Sequence, residues 1–138
     1  MLKLSKKIEY AVLALKYIAE NSDEECLSTK VISQNAEIPY DMSAKILQQL
    51  VRNDIIKSTQ GNRGGYSLNI SPDKLNLGQI ASAVEEDVQL TNCMYENASH
   101  EDCARIKDCC IKSPLNKVQN QINEIFNKTF LNELVEVQ

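Results

Sequence analysis

Two short runs rich in β-favouring residues, Ile55 to Thr59 and Tyr66 to Ile70, flank the segment Gly61-Asn62-Arg63-Gly64-Gly65. Glycine concentrated between two such runs implies a β-hairpin with an arginine near its tip, because glycine enters the φ > 0 conformations of tight loops without steric cost. The second run alternates apolar and polar residues strictly, as a strand with one buried face does. An isolated two-stranded hairpin is marginal in water, so this one must pack on something else, and most of what precedes it has helical periodicity.

Ser5 to Asn21 carries Ile8, Val12, Leu15, Ile18 and Ala19 at three- and four-residue spacings, the mark of a helix with one buried stripe. Ser28 is placed to cap a short second helix, Thr29 to Gln34, with Val31 and Ile32 inward. Pro39 then interrupts the chain, and Asp41 reads as the cap of a third helix, Met42 to Asn53. That helix turns Ile46, Leu47, Leu50 and Val51 toward the core and Lys45, Gln48, Gln49 and Arg52 outward. After the hairpin, Ser71-Pro72-Asp73 is a turn, and Leu77 to Glu86 forms a fourth helix packing Leu77, Ile80, Ala81 and Val84. Helices followed by a hairpin in this order predict a fold that is mainly α with a small β-hairpin wing, a winged helix-turn-helix over residues 1–86.

Periodicity fades over residues 87–112, which read as a Cys-rich loop with one helical turn near Ala104 to Lys107. Ser113-Pro114 then supplies a cap and a first-turn proline for a long helix. Leu115, Val118, Ile122 and Ile125 follow at spacings of three and four, continuing to Phe126, Phe130 and Leu134. A seam of this kind outside the compact first unit needs a partner, and the equivalent region of a second copy is the natural one; residues 113–138 are therefore expected to be a dimerisation helix and the chain a homodimer.

No run approaches the roughly 18 apolar residues of a membrane span, since Glu9, Lys16 and Glu20 interrupt the one candidate, and no secretory signal is expected for the same reason. Five cysteines, four of them crowded between residues 93 and 110, fit reduced thiols of a cytoplasmic chain better than a disulfide scaffold. The net charge of −4 is unevenly placed: residues 1–81 sum to +1 and residues 82–138 to −5. Charge by itself does not suggest nucleic acid, but the acidic excess lies outside the winged unit.

The major groove of DNA admits one α-helix, and a helix-turn-helix places its second helix there with polar side chains reaching bases and phosphates. Asp41, Met42, Ser43, Ala44, Lys45 and Gln48 occupy that position, and Asn62, Arg63 and Gly64 form the wing tip that could enter the minor groove. The competing reading of the same residues is the solvated side of an ordinary amphipathic helix. The combination of this helix with a Gly-Arg-Gly-Gly hairpin downstream favours duplex DNA as partner. An enzyme acting on a small-molecule substrate is disfavoured by the lack of a Cys-x-x-Cys redox pair, of any Ser/His/Asp arrangement, and of more than one histidine.

Leu4-Ser5-Lys6 through Tyr10-Ala11-Val12, Ile38-Pro39 with Ser43-Ala44-Lys45-Ile46-Leu47-Gln48-Gln49-Leu50, and Gly61-Asn62-Arg63-Gly64-Gly65-Tyr66-Ser67-Leu68 together resemble the bacterial winged-helix transcription regulators that include IscR, NsrR and CymR. The likeness spans nearly the whole chain. It implies a dimer with crossing C-terminal helices that presents recognition helices and wings to palindromic half-sites.

Cys93, Cys103, Cys109 and Cys110 bring three or four thiols into one segment, where thiolates can converge on a soft metal or an iron–sulfur cluster. Zinc usually takes two Cys-x-x-Cys pairs, which are missing, so iron–sulfur is the better reading. Cys93, Cys103 and Cys109 are the expected ligands of a [2Fe-2S] or [4Fe-4S] cluster, of undetermined type. Cluster-bearing members of the resembled family complete the set with a residue other than Cys, and alignment on the first motif puts Glu9, donated by the other subunit, in that place; a hard carboxylate there makes a labile site suited to sensing redox state, nitric oxide or iron–sulfur status. The chain departs from those relatives in having nine rather than five residues between its first two loop cysteines, an extra Cys110, and Lys112 where one branch has His. His100, inside the enlarged loop, is the alternative fourth ligand, and Glu9 is equally readable as a surface carboxylate. The alternative function is a cluster-free repressor controlled by thiol oxidation or by a partner protein. Cys26 reads as a packing residue.

Overall fold

The computed structural model describes residues 3–85, 88–91, 94, 98–101 and 103–135. The chain runs α1 (Lys6–Glu20), α2 (Thr29–Asn35), α3 (Tyr40–Arg52), β1 (Ile56–Thr59), β2 (Gly65–Leu68), α4 (Leu77–Val84), α5 (Lys112–Lys128) and α6 (Leu131–Val135). This is the expected winged helix-turn-helix order. Ser5 and Ser28 act as the caps their positions suggested, accepting hydrogen bonds from the Ile8 and Val31 amides at 3.3 and 3.2 Å. A reciprocal capping box starts α4, with the Gln79 amide on Asn76 Oδ1 at 2.8 Å and the Asn76 amide on Gln79 Oε1 at 2.9 Å.

Helix α3 starts earlier than expected. Tyr40 is its first residue, Pro39 stands at the N-cap without a side-chain bond, and Asp41 lies in the first turn instead of capping it. Pro39 can hold the extended backbone that a cap residue needs, so the helix does not require the Asp41 side chain to begin. Glu37, in the left-handed region at φ 56°, makes the sharp turn between α2 and α3. Val31, expected inward on α2, is 36% exposed, while its neighbour Ile32 is fully buried.

The core gathers Ile8, Leu15 and Ile18 of α1, Ile32 of α2, Ile46, Leu47 and Leu50 of α3, Ile56 of β1, Leu75, and Ile80 and Val84 of α4. The wing pairs β1 with β2 antiparallel, from Ile56 opposite Leu68 to Thr59 opposite Gly65. Leu27 adds a third rung, its amide bonded to the Tyr66 carbonyl at 3.0 Å and its carbonyl accepting the Tyr66 amide at 2.7 Å. Gly65, at φ 154°, makes that approach possible, because a Cβ there would collide with the Leu27 carbonyl. Gly65→Ala is accordingly expected to cost about 1–3 kcal/mol and to loosen the wing from Leu27, checked by chemical denaturation and by faster amide exchange at Leu27 and Tyr66.

The C-terminal region differs most from expectation. Helix α5 ends at Lys128, and the Thr129 hydroxyl donates to the Ile125 carbonyl at 2.8 Å, so the single helix expected to run on to Leu134 is broken. Beyond the break the chain returns to the first unit: the Leu77 amide donates to the Thr129 carbonyl and the Leu131 amide to the Leu75 carbonyl, each at 2.8 Å. Leu131 is completely buried in the main core, and α6 packs on α1. Spacing places Phe130 and Leu134 on the same stripe as Ile122, but it does not reveal that a hydrophobic residue past a turn gains more from an existing core than from extending a seam. At the other end of α5, Ser113 and Pro114 lie inside the first turn, with Ile111 at the N-cap.

Candidate nucleic-acid interface and thiol segment

Asp41, Lys45 and Gln48 are exposed and lie on one face of α3, as spacings of four and three residues require. Ala44 is half-buried beside them. Met42 is also half-buried but packs against the core. Ser43 drops out of the groove-facing set: it is 1% exposed and turned inward, and its Oγ has no hydrogen-bond partner among the described residues. Position 43 sits on the same side of the helix as Ile46, Leu47 and Leu50, so an inward stripe that was legible from the apolar residues includes this serine. In the wing, Asn62 and Arg63 are exposed and Gly64 is half-buried, its amide donating to the Gly61 carbonyl at 3.0 Å. A Cβ at Gly64 would collide with the Thr59 carbonyl.

Helix and wing border a common cleft of about 470 Å³. Tyr40 lines it from the start of α3, Thr29 and Lys30 from the start of α2, and Thr59, Gln60 and Gly64 from the hairpin. Its chemistry is hydroxyl, carboxamide and ammonium, the groups that hydrogen-bond to a phosphodiester. Thr29, Lys30 and Tyr40, which is 57% exposed, escaped the reading of the sequence. The only available signal was a polar helix start, and it acquires meaning once the hairpin folds against it.

Of the expected metal ligands, Glu9, Cys103, Cys109 and His100 lie among the described residues. Glu9 lies in the first turn of α1, its carboxylate 3.0 Å from Lys6 Nζ of the same chain. That hydrogen bond and the Glu9 charge hold the Lys6 ammonium above its ordinary pKa. Cys93 lies outside the described residues. Cys103 and Cys109 are half-buried, Cys110 is exposed, and these thiols and that of Cys26 are free. Between Cys103 and Cys109 the chain makes turns, with the Ile106 amide on the Cys103 carbonyl at 3.2 Å and the Asp108 amide on the Arg105 carbonyl at 3.0 Å, where a helical turn was expected. His100 is exposed. Among the described residues no three His, Cys, Asp or Glu side chains are gathered to hold a metal. The donor type nevertheless suits an iron–sulfur cluster: the thiols of Cys103, Cys109 and Cys110 are free and at least partly exposed.

Residues 4–137 match the family described as Rrf2, iron-dependent transcriptional regulator. The chain belongs to the Rrf2 family. Its relatives include the HTH-type transcriptional regulator IscR of Pectobacterium carotovorum, 28% identical over 97% of this chain and 79% of that protein. The HTH-type transcriptional regulator NsrR of Bacillus licheniformis is 22% identical over 97% of this chain and 92% of its own length. Among solved structures, CymR, the global cysteine regulator of B. subtilis, superposes with a TM-score of 0.75 at 22% identity over 100% of this chain and 99% of that one, which establishes the shared fold. The Rrf2 chain is thus a DNA-binding transcriptional regulator, as its family and relatives are, and not an enzyme. Among its described residues no helix is long and apolar enough to cross a membrane.

Proposed function

We propose that this Rrf2 protein is a homodimeric, operator-specific regulator whose affinity for DNA is controlled through the thiol segment. The observation that carries the DNA geometry is the common cleft, which puts the start of α3 and the wing side by side. With α3 in the major groove, Lys45 pairs with guanine or a phosphate, Gln48 makes a bidentate contact with adenine, and Asp41 can accept from a cytosine amino group. Arg63 reaches into the minor groove, while Thr29, Lys30 and Tyr40 hold the backbone between. Dimerisation is supported by the outward seam of α5: Val118 and Ile125 are 43% and 62% exposed, and Ile111 just before the helix is 57% exposed. With Leu115 and Ile122 they alternate at four and three residues, the spacing of a coiled-coil stripe. A second copy covering that seam sets two recognition helices at half-sites one helical turn apart.

The finer reading is that the segment holds an iron–sulfur cluster on Cys93, Cys103 and Cys109, with Glu9 of a second copy or His100 completing the set. Such a cluster would supply iron centres open to nitric oxide and oxygen. The chain's own part is to present thiolates and, for Glu9, to exchange the Lys6 ion pair for the metal. Anaerobically purified protein is expected to contain iron and sulfide and to absorb visible light. Cys103→Ala should abolish that absorption and Cys110→Ala should leave most of it. A colourless, iron-free wild type would remove the cluster from the account.

A second reading is favoured by the exposure of Cys110 beside Cys109. Here a hydroperoxide converts one of these thiols to a sulfenic acid, releasing water or an alcohol, and DNA affinity follows the thiol state. In that case affinity changes with peroxide and recovers with dithiothreitol in protein that holds no iron.

A further inference from the structure

Helix α5 buries a single side chain, and it is polar: Gln119, at 5% exposure. Its Oε1 accepts the Leu90 amide at 2.7 Å. Its Nε2 donates to the Val88 carbonyl at 2.7 Å and to Asn123 Oδ1 at 2.9 Å. The carboxamide therefore uses both N–H donors and meets Val88 and Leu90 as a neighbouring strand's peptide group would, pairing with the C=O of one residue and the N–H of the residue two further on. Hydrogen bonds of this kind specify position, whereas apolar contact tolerates sliding. The surroundings are mixed: Asn123 and Asn127 follow Gln119 at four-residue intervals, and with Ser82 they line an open cavity of about 200 Å³ whose apolar wall is Ala81, Val88 and Phe126.

The thiol segment is consequently tied to α5 twice. It leaves from Val88–Leu90, held at Gln119, and ends where it runs into the helix at Lys112. Cys103, Cys109 and Cys110 lie between these two anchors, on a loop closed across about two turns of one helix. A change at the thiols that draws on the first anchor acts on α5, the helix that carries the exposed apolar seam. We infer that Gln119 is the positioning residue that couples the thiol segment to α5, and so to the spacing of the recognition helices. This rests on the thiol-controlled reading proposed above.

The test uses full-length protein in a Cys26→Ser background and a promoter fragment that the unsubstituted protein retains from genomic DNA. Gln119→Met keeps side-chain length and removes all three hydrogen bonds. Amide exchange at Leu90 should accelerate about tenfold or more, while Ile46 to Leu50 in α3 remain protected as before. Affinity for the fragment before modification should stay within about twofold, but the change in affinity produced by N-ethylmaleimide should shrink toward none. Asn123→Ala, at an exposed residue one turn along the same face, removes one bond of the three and should shift both readouts in the same direction by less. Unchanged exchange at Leu90, or a variant that responds to N-ethylmaleimide as fully as its parent, overturns the coupling and leaves thiol control standing. A parent protein that shows no response overturns thiol control and the coupling together.

Discussion

Leu131→Ala should lower the stability of the whole chain by about 2–5 kcal/mol and its thermal midpoint by roughly 10 °C, although the residue lies at the far C-terminal end. The reason is its location. Leu131 is completely buried in the main core, and its helix packs on α1, which also packs on α3 and α4. Truncating a buried leucine loses its transfer free energy and leaves a cavity that surrounding helices fill only in part. The backbone there is equally committed: the Leu131 amide bonds to the Leu75 carbonyl, and the Glu133 carboxylate accepts the Phe130 amide at 2.6 Å to start α6. Leu134→Ala, at a half-buried position, should cost far less. Denaturant titration of both variants distinguishes the cases, and a loss below about 1 kcal/mol at Leu131 would mean that α6 is not part of the core.

Arg63→Ala should weaken operator binding by about 10- to 100-fold, the usual value of one well-placed groove contact. Lys45→Ala should fall in the same range if it reads guanine; if it holds a phosphate it should weaken all sequences alike and flatten the dependence of log affinity on log salt by about one unit. Arg63→Lys should not restore full binding, because an ammonium lacks the planar fork of a guanidinium. Ser43→Ala supplies the internal contrast: its hydroxyl is buried and without a partner among the described residues, so replacement should leave DNA affinity intact and stability equal or slightly higher. Binding titrations at two salt concentrations read all four. Full affinity in both Arg63→Ala and Lys45→Ala would remove α3 and the wing from the interface.

Much of the winged unit was legible because each part has a local cause. Ser5 and Ser28 precede apolar-periodic runs and do cap α1 and α2; the stripe of Ile46, Leu47 and Leu50 predicts the buried side of α3; the glycines around Arg63 predict a hairpin, and Gly64 and Gly65 are required by specific carbonyls. The misses are equally specific. Asp41 looked like a cap because a carboxylate before a helix ordinarily is one, yet Pro39 started the helix two residues sooner. Ser43 looked like a DNA contact because serine is polar, but helical phase overrides polarity at a position between buried turns. Gln119 attracted no notice, since one glutamine among the polar residues of α5 cannot be told apart from its neighbours by periodicity.

Residue spacing and turn chemistry by themselves determined the helices, the hairpin and the outward polar face of α3, because those features depend on neighbours within a few positions along the chain. Tertiary structure alone decided that Leu131 belongs to the first core, that Thr29, Lys30 and Tyr40 share a cleft with the wing, and that Gln119 fastens the thiol segment. Each of these pairs residues distant in sequence, and which distant partners meet is set by how the elements stack around one buried volume, a choice that short-range patterns do not encode.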